Sequence, residues 1–535
     1  LGQPVTARTL LDSGAQRLQR ELRDEPEVRA TMLGAVGQSY ASMGEFQAAL
    51  AQFEEALADR RGVLSDDDPE VAEALIDVGQ MQLELGDFDA ADASFAEAES
   101  ILDANDVTTS PVRARLNMQA AHLARLQGDY EESEALFRQA IGILRHLDPA
   151  AREDLAAALT LYGGLLGALE RKEETLAAME EALAIRRALH GEVHPGVAVS
   201  YNNLGTFYLK QGDQDQAERY LRESLALKRQ LYGDTNIRVG RSLANLAVVQ
   251  HRRARYREAE ELNSEALPIF VAALGEDHPH VAFLLENMAN DQLELGRHEE
   301  ALATYRDSLE RMKTIFGTDN VEYGISLSNV GGALVVMGRY QEASDYLEQA
   351  DGVYVASIGP EHPQRLASKA KWASAQFGLG NYAVVEAETR RVLAQTEQLY
   401  DASENIAGPR EFLGRSVLAQ GRAEEAVPIL AQAVEDWRAT SGDDNNNVWR
   451  ASTYHAEGLI ALGRYEEAEA LLAESYPALD DFLGSGHPDT RSARDIYRRL
   501  YVAWDRPEEA ARYEVVRSPG TASDSGAGSR IDTSR

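Results

Sequence analysis

YNNLGTFYLKQGDQDQAERYLRESLALKRQLYG, residues 201–233, decides the fold. On either side of Gly212, Leu204 and Tyr208, then Leu221 and Leu225, recur at the spacing of a helix and not of a strand. Gly205, seven residues before Gly212, is a small residue that lets two helices approach closely, and Ala217, five after it, is the expected facing contact. The stretch reads helix, tight turn, helix.

Outward from it the pattern returns at a fixed step. Gly44, Gly86 and Gly128, each followed two residues later by Phe46, Phe88 or Tyr130, are 42 residues apart, and the slot recurs at Gly212, Gly296, Gly338 and Gly380. Glu170 and Ala254 fill the intervening slots; Gly421 follows after a step of 41, then Gly463 and Asp505, which makes twelve units. The earlier small slot holds Gly37, Gly79, Ala121, Gly163, Ala247, Ala289, Gly331, Ala373, Gly414 and Ala456; the later one holds Ala49, Ala91, Ser133, Ala259, Ala301, Ala343, Ala426 and Ala468. Such a period marks an array in which each unit buries its apolar face only against its neighbours. The expected fold is all-α: a right-handed α-solenoid of about twelve helix-turn-helix repeats.

The string L-G, Y, G-x-Y, A, then an aromatic or leucine is similar to the tetratricopeptide repeat signature. Where that family places a tryptophan, this chain has Leu75, Leu159, Tyr201, Leu243, Leu285 or Leu327. Each unit is also about eight residues longer than the usual 34. The added length resembles the kinesin-light-chain style of repeat, in the joining segments HGEVHPGVA from His190, LGEDHPHVA from Leu274, IGPEHPQRLA from Ile358 and LGSGHPDTR from Leu483. There glycine ends one helix and the residues ahead of proline begin the next.

Three domains are expected: residues 1–25 as a capping helix, 26–517 as the repeat array with a degraded last unit, and 518–535 as a disordered tail. The cap puts Leu10, Leu11, Leu18 and Leu22 on one side, as an open-ended stack requires. The segment VTARTLL, followed by a G-A-x-R helix, resembles the opening of the repeat tails of bacterial membrane-bound serine/threonine kinases. That resemblance implies an alternative function: the extracytoplasmic sensory or regulatory tail of a kinase whose catalytic domain is absent. The chain has no Gly-rich phosphate loop, HRD-like or DFG-like segment. It starts at Leu1 without methionine, which suggests a piece or processed form of something longer. Pro268 and Pro477 occupy one slot inside the second helix, where a bend or restart is expected.

Composition narrows the function. Single cores stop growing near roughly 250–300 residues, so 535 residues demand several domains or an array. A formal charge of -35, from 53 Lys and Arg against 88 Asp and Glu, argues against nucleic acid and anionic membranes. No apolar run is long enough for membrane insertion by this segment, and the absence of cysteine excludes disulfides and thiolate chemistry. The expected segment is soluble, cytoplasmic or, on the kinase-tail reading, on the extracytoplasmic side of a bacterial membrane.

The first helix of each unit is expected to line a concave groove. In units five to eight the exposed stripe reads Val199, Asn203, Thr206, Lys210; Arg241, Asn245, Val248, Arg252; Phe283, Asn287, Asn290, Glu294; Ile325, Asn329, Gly332, Val336. Asparagine amides donate and accept at once, which suits the backbone of an extended peptide or, equally, a neighbouring hairpin. The resemblance assigns ligand main-chain contact to Asn203, Asn245, Asn287 and Asn329. Around Arg241 and Arg252, the cations Arg238, Arg253, Arg255 and Arg257 offer an acidic peptide two-point pairing, or simply a solvated face. The two-lysine carboxylate clamp of chaperone-binding relatives is missing, because Val199, Phe283 and Ile325 occupy the slots for cations.

His190, His194, His278 and His280 belong to a repeat-wide turn signal and not to zinc, and DDNNNVW from Asp443 lacks the glycine and glutamate of a calcium loop. The expected protein is therefore a scaffold with no enzyme activity, cofactor, metal or catalytic residue. Its groove residues are Asn203, Lys210, Arg241, Asn245, Arg252, Asn287, Asn290 and Asn329, its partner is a protein or acidic peptide, and a homodimer is compatible.

Overall fold

The computed structural model describes residues 7–147, 152–360, 362–399 and 404–514. Among the described residues there are helices and turns but no strand. Two compact units divide the chain, Leu1–Ala273 and Leu274–Arg535.

The first unit opens with α1 (Ala7–Glu21), followed by pairs. Repeat one is α2 (Pro26–Ser42) with α3 (Phe46–Val63), and repeat two is α4 (Pro69–Glu84) with α5 (Phe88–Ala104). Repeat three is α6 (Pro111–Gln127) with α7 (Tyr130–His146), and repeat four is α8 (Arg152–Ala168) with α9 (Lys172–His190). Repeats five and six are α10 (Pro195–Gln211) with α11 (Gln214–Tyr232) and α12 (Ile237–Arg252) with α13 (Tyr256–Leu274).

The second unit continues with α14 (Pro279–Glu294) and α15 (His298–Phe316), then α16 (Val321–Val336) and α17 (Tyr340–Ser357). Repeats nine and ten are α18 (Pro363–Gly378) with α19 (Tyr382–Leu399) and α20 (Glu404–Ala419) with α21 (Ala423–Ser441). Repeats eleven and twelve are α22 (Asn446–Ala461) with α23 (Tyr465–Leu483) and α24 (Pro488–Ala503) with the short α25 (Pro507–Ala511).

Local chemistry sets these boundaries. Gly212 ends α10 at φ 79°, ψ 1°, and Asp213 starts α11 by accepting from Gln216 N at 3.1 Å. Glu170, Ala254 and Asp505, which replace the turn glycine, hold the same left-handed conformation at φ 58°, 54° and 58°. The joining segments use a second device. His194, His278, His362 and His487 each precede proline and accept, through Nδ1, from the backbone N–H two residues on, at 3.1–3.3 Å. These histidines are helix N-caps, and Asn445 caps α22 in the same way. The polar loop at Asp443 is thus the lead-in to a helix.

The small slots let the pairs nest, though not quite as the spacing suggests. A Cβ on Gly205 would lie 2.6 Å from Leu221 Cγ, so the glycine receives the residue nine places after the turn, not the alanine five after it. Gly37 and Gly79 receive Phe53 and Phe95 in the same manner. The two small slots still face each other, since Ser133 Oγ donates to Ala121 O at 2.7 Å. Leu75, Leu159, Tyr201, Leu243, Leu285 and Leu327, at the tryptophan position, are all buried. The apolar interior is a succession of clusters, such as that around Phe95 and Ile76 and that around Leu347 and Leu309. In each unit this is the α-solenoid expected from the period.

Two local expectations are corrected. Leu10 is 63 % exposed; the packing stripe of the cap runs through Leu11, Ala15, Leu18 and Leu22, and Leu10 lies one residue off it. Of the bend or restart expected at Pro268 and Pro477, the restart does not occur: both helices run on through the prolines. Both prolines, and Ser264 and Ala473 one turn earlier, are exposed, so water can satisfy the carbonyl that loses its partner. The tail at 518–535 lies outside the described residues.

Candidate functional site

First helices touch the first helix of the next repeat at many steps: α4 meets α6, α6 meets α8, α10 meets α12, and α16, α18, α20, α22 and α24 form a continuous row. Successive second helices reach one another through long exposed side chains, as Arg145 does to Glu181 at 2.7 Å. The closer row is the inside of the local curve.

In the first unit, Lys210, Arg241 and Arg252 of that row are exposed, and Asn203 and Asn245 half-buried. Asn245 Nδ2 donates to Asn202 Oδ1 at 3.2 Å, and Arg252 Nη1 donates to Leu209 O at 2.9 Å, so both tie α12 to α10. The side chains of Asn203, Lys210 and Arg241 make no hydrogen bond among the described residues. Beneath them Lys228 is buried and donates to Ser242 Oγ at 2.7 Å, with Asn202 Oδ1 at 3.4 Å. Burial, with Arg238 and Arg241 nearby, pushes its amine down to about 8. The other cations of the cluster are mostly engaged: Arg253 pairs with Asp215 at 2.6 Å, Arg255 with Glu218 at 3.3 Å, and Arg238 stacks on Tyr232.

In the second unit, Asn287, Asn290 and Asn329 are half-buried. Asn290 Oδ1 accepts from the Tyr305 hydroxyl. Asn329 Nδ2 donates to Glu286 Oε2 at 3.2 Å, and its Oδ1 lies 3.4 Å from Lys371 Nζ. Lys371 holds the same register one repeat later, so this slot reaches back to the preceding first helix whether it carries asparagine or lysine. Glu286 is buried among the Ser308 and Ser326 hydroxyls; burial raises its carboxyl, against the hydrogen bonds that favour its charge. Burial likewise lowers the Lys371 ammonium.

Farther along the same row in the second unit, a cleft of about 790 Å³ opens over α18, α20, α22 and α24. Tyr454 and Ile496 stand at the asparagine slot of repeats eleven and twelve, and Arg415, Glu457 and Arg499 stand one turn farther on, in the register of Thr206. Arg415 is held between rings, 3.8 Å from the Tyr454 centroid and 4.7 Å from that of Phe377. The stripe of units five to eight, carried on by 42, 41, 42 and 42 residues, would have found these positions. The change from asparagine to tyrosine and isoleucine hid them.

Among the described residues no group of three His, Cys, Asp or Glu side chains converges to hold a metal ion, and no helix is long and apolar enough to cross a membrane. A tetratricopeptide repeat model matches residues 28–104, 154–230, 197–270, 238–314 and 280–354, just over half of the chain. Three further tetratricopeptide repeat models match 114–143, 411–447 and 449–474. No curated protein matches. Among solved structures, the apo form of the quorum sensor NprR from B. thuringiensis is 19 % identical over 68 % of this chain and 97 % of its own, with a TM-score of 0.50. The apo form of RapI is 13 % identical over 74 % of this chain and 98 % of its own, also at 0.50. A putative kinesin light chain from Podosopora anserina is 21 % identical over 45 % and 95 %, with a TM-score of 0.24. These likenesses concern the fold.

Proposed function

Because the chain belongs to the tetratricopeptide repeat family, we propose that it is a non-catalytic scaffold that binds an extended peptide or a helix of another protein along the inner row of first helices. The supporting observation is the register. One stripe of half-exposed and exposed side chains repeats from helix to helix, while the small slots on the opposite side of the same helices are consumed by packing. A ligand laid across the row meets equivalent positions at each step.

Asn203, Lys210, Arg241, Asn245 and Arg252 form this face in the first unit; Asn287, Asn290 and Asn329 form it in the second. Asparagines that clamp the neighbouring helix keep spare donor and acceptor capacity, since one amide offers two of each. Asn245 and Arg252 are poor probes because their loss also loosens α10 from α12. Lys210 and Arg241 are exposed and carry no such bond.

The test is a pull-down with the full chain, mapping of the bound segment, and the double variant Lys210→Ala, Arg241→Ala. The expected result is loss of about tenfold or more in affinity for a segment bound to the first unit, with unchanged helicity and melting. Undiminished binding by this variant and by inner-row variants of the second unit would overturn the reading.

A further inference from the structure

The charge of repeats nine to twelve is sorted by row. The first helices α18, α20, α22 and α24 carry ten Lys and Arg against five Asp and Glu, while the second helices α19, α21 and α23 carry three against thirteen. In a chain of net charge -35 this is a local inversion. It coincides with the cleft of about 790 Å³.

Inside the cleft the carboxylates are already committed. Glu457 and Asp495 both pair with Arg499, at 2.9 and 3.0 Å. Behind the cleft lining, buried Glu411 accepts from Nε and Nη2 of Arg450, each at 3.2 Å, and from the Trp437 indole at 3.3 Å. Arg415 reaches Glu411 only at 3.6 Å, beyond hydrogen-bond distance, and is held instead by the rings of Phe377, Phe412 and Tyr454. Arg491, exposed on the cleft rim, makes no side-chain hydrogen bond or ion pair among the described residues. Two guanidinium groups are thus left with donors to spare, next to the apolar surface of Leu418, Ile460 and Ile496.

We propose that the cleft over repeats nine to twelve docks an extended segment of a partner protein that carries an acidic side chain beside an aliphatic one. The carboxylate seats on Arg491 and Arg415, and the aliphatic group covers Leu418 and Ile460. The cleft crosses the first helices of four consecutive repeats, so the segment runs through it and need not present a chain end. The acidic outer row repels a long polyanion, which separates this ligand from nucleic acid. The proposal rests on the reading of the inner row as the docking face.

The test selects binders from a displayed library of random dodecamers against the full chain. The expected selection is rich in Asp and Glu, loses about tenfold in affinity on Arg491→Gln, weakens with added salt, and is blocked by Ala461→Trp, which fills the cleft. Arg491 is exposed, so its variant keeps the wild-type melting curve; Arg415→Gln weakens the same peptides as a second arm. Neutral peptides blocked by Ala461→Trp but indifferent to Arg491→Gln would overturn the acidic preference and leave the docking face standing. Peptides indifferent to Ala461→Trp, an empty selection, or equal competition by a twenty-nucleotide oligo-dT would overturn the proposal itself.

Discussion

Gly212 and Gly317 look interchangeable in the sequence, yet their backbones differ. Gly212 sits at φ 79°, ψ 1°, a left-handed conformation that other residues enter at modest cost, as Glu170, Ala254 and Asp505 do in equivalent turns. Gly317 sits at φ 77°, ψ -173°, a region essentially closed to side chains, and Gly191, Gly233, Gly442 and Gly484 end other second helices in the same way. Gly317→Ala is therefore expected to cost about 1–3 kcal/mol, and Gly212→Ala about 1 kcal/mol. Denaturation midpoints of the two variants check the order; equal losses would contradict it.

At the scale of the element, the histidine caps link helix starts to pH. Burial, with His190 and Arg186 beside it and opposed by Glu153, holds the His194 imidazole below its ordinary 6.5. The neutral ring is the acceptor for Gly196 N. Its contribution is complete above the unfolded value and is lost as pH falls through 6.5 and below the folded value. A lost cap costs about 1 kcal/mol, so the protection factor of the first turn of α10, its exchange rate set against the intrinsic rate at each pH, should fall between pH 7.5 and pH 5. In His194→Asn, whose amide caps without titrating, that loss of protection should disappear; its persistence would contradict the assignment.

Helix, turn and step were legible because each turn needs a residue type that few positions tolerate. The role of the joining histidines was not, since the same letters suit a loop, a metal ligand or a cap until Nδ1 is seen on a backbone N–H. The restart expected at Pro268 and Pro477 is avoided for a related reason: an exposed helix face lets water replace the missing bond. The groove stripe of units five to eight was legible as a register. Which of its asparagines are tied to a neighbour depends on the residue one repeat earlier, such as Asn202 or Glu286.

For the molecule as a whole, clusters that touch only their neighbours make stability local. A Cβ at Gly79 would press on the Phe95 ring at 2.5 Å, so Gly79→Ala should loosen the α4 to α5 crossing. Exchange should rise in α4, α5 and α6, while α10 and α11, in the same unit, keep their protection. A uniform rise across the unit would indicate one cooperative core instead of nested repeats.

The central claim is that the inner row of first helices is the surface offered to a partner. Hydrogen exchange of the full chain, with and without a dodecamer selected as above, tests it most directly. The account predicts added protection in α18, α20, α22 and α24, with the second helices α19, α21 and α23 unchanged. Protection confined to the second helices would contradict it.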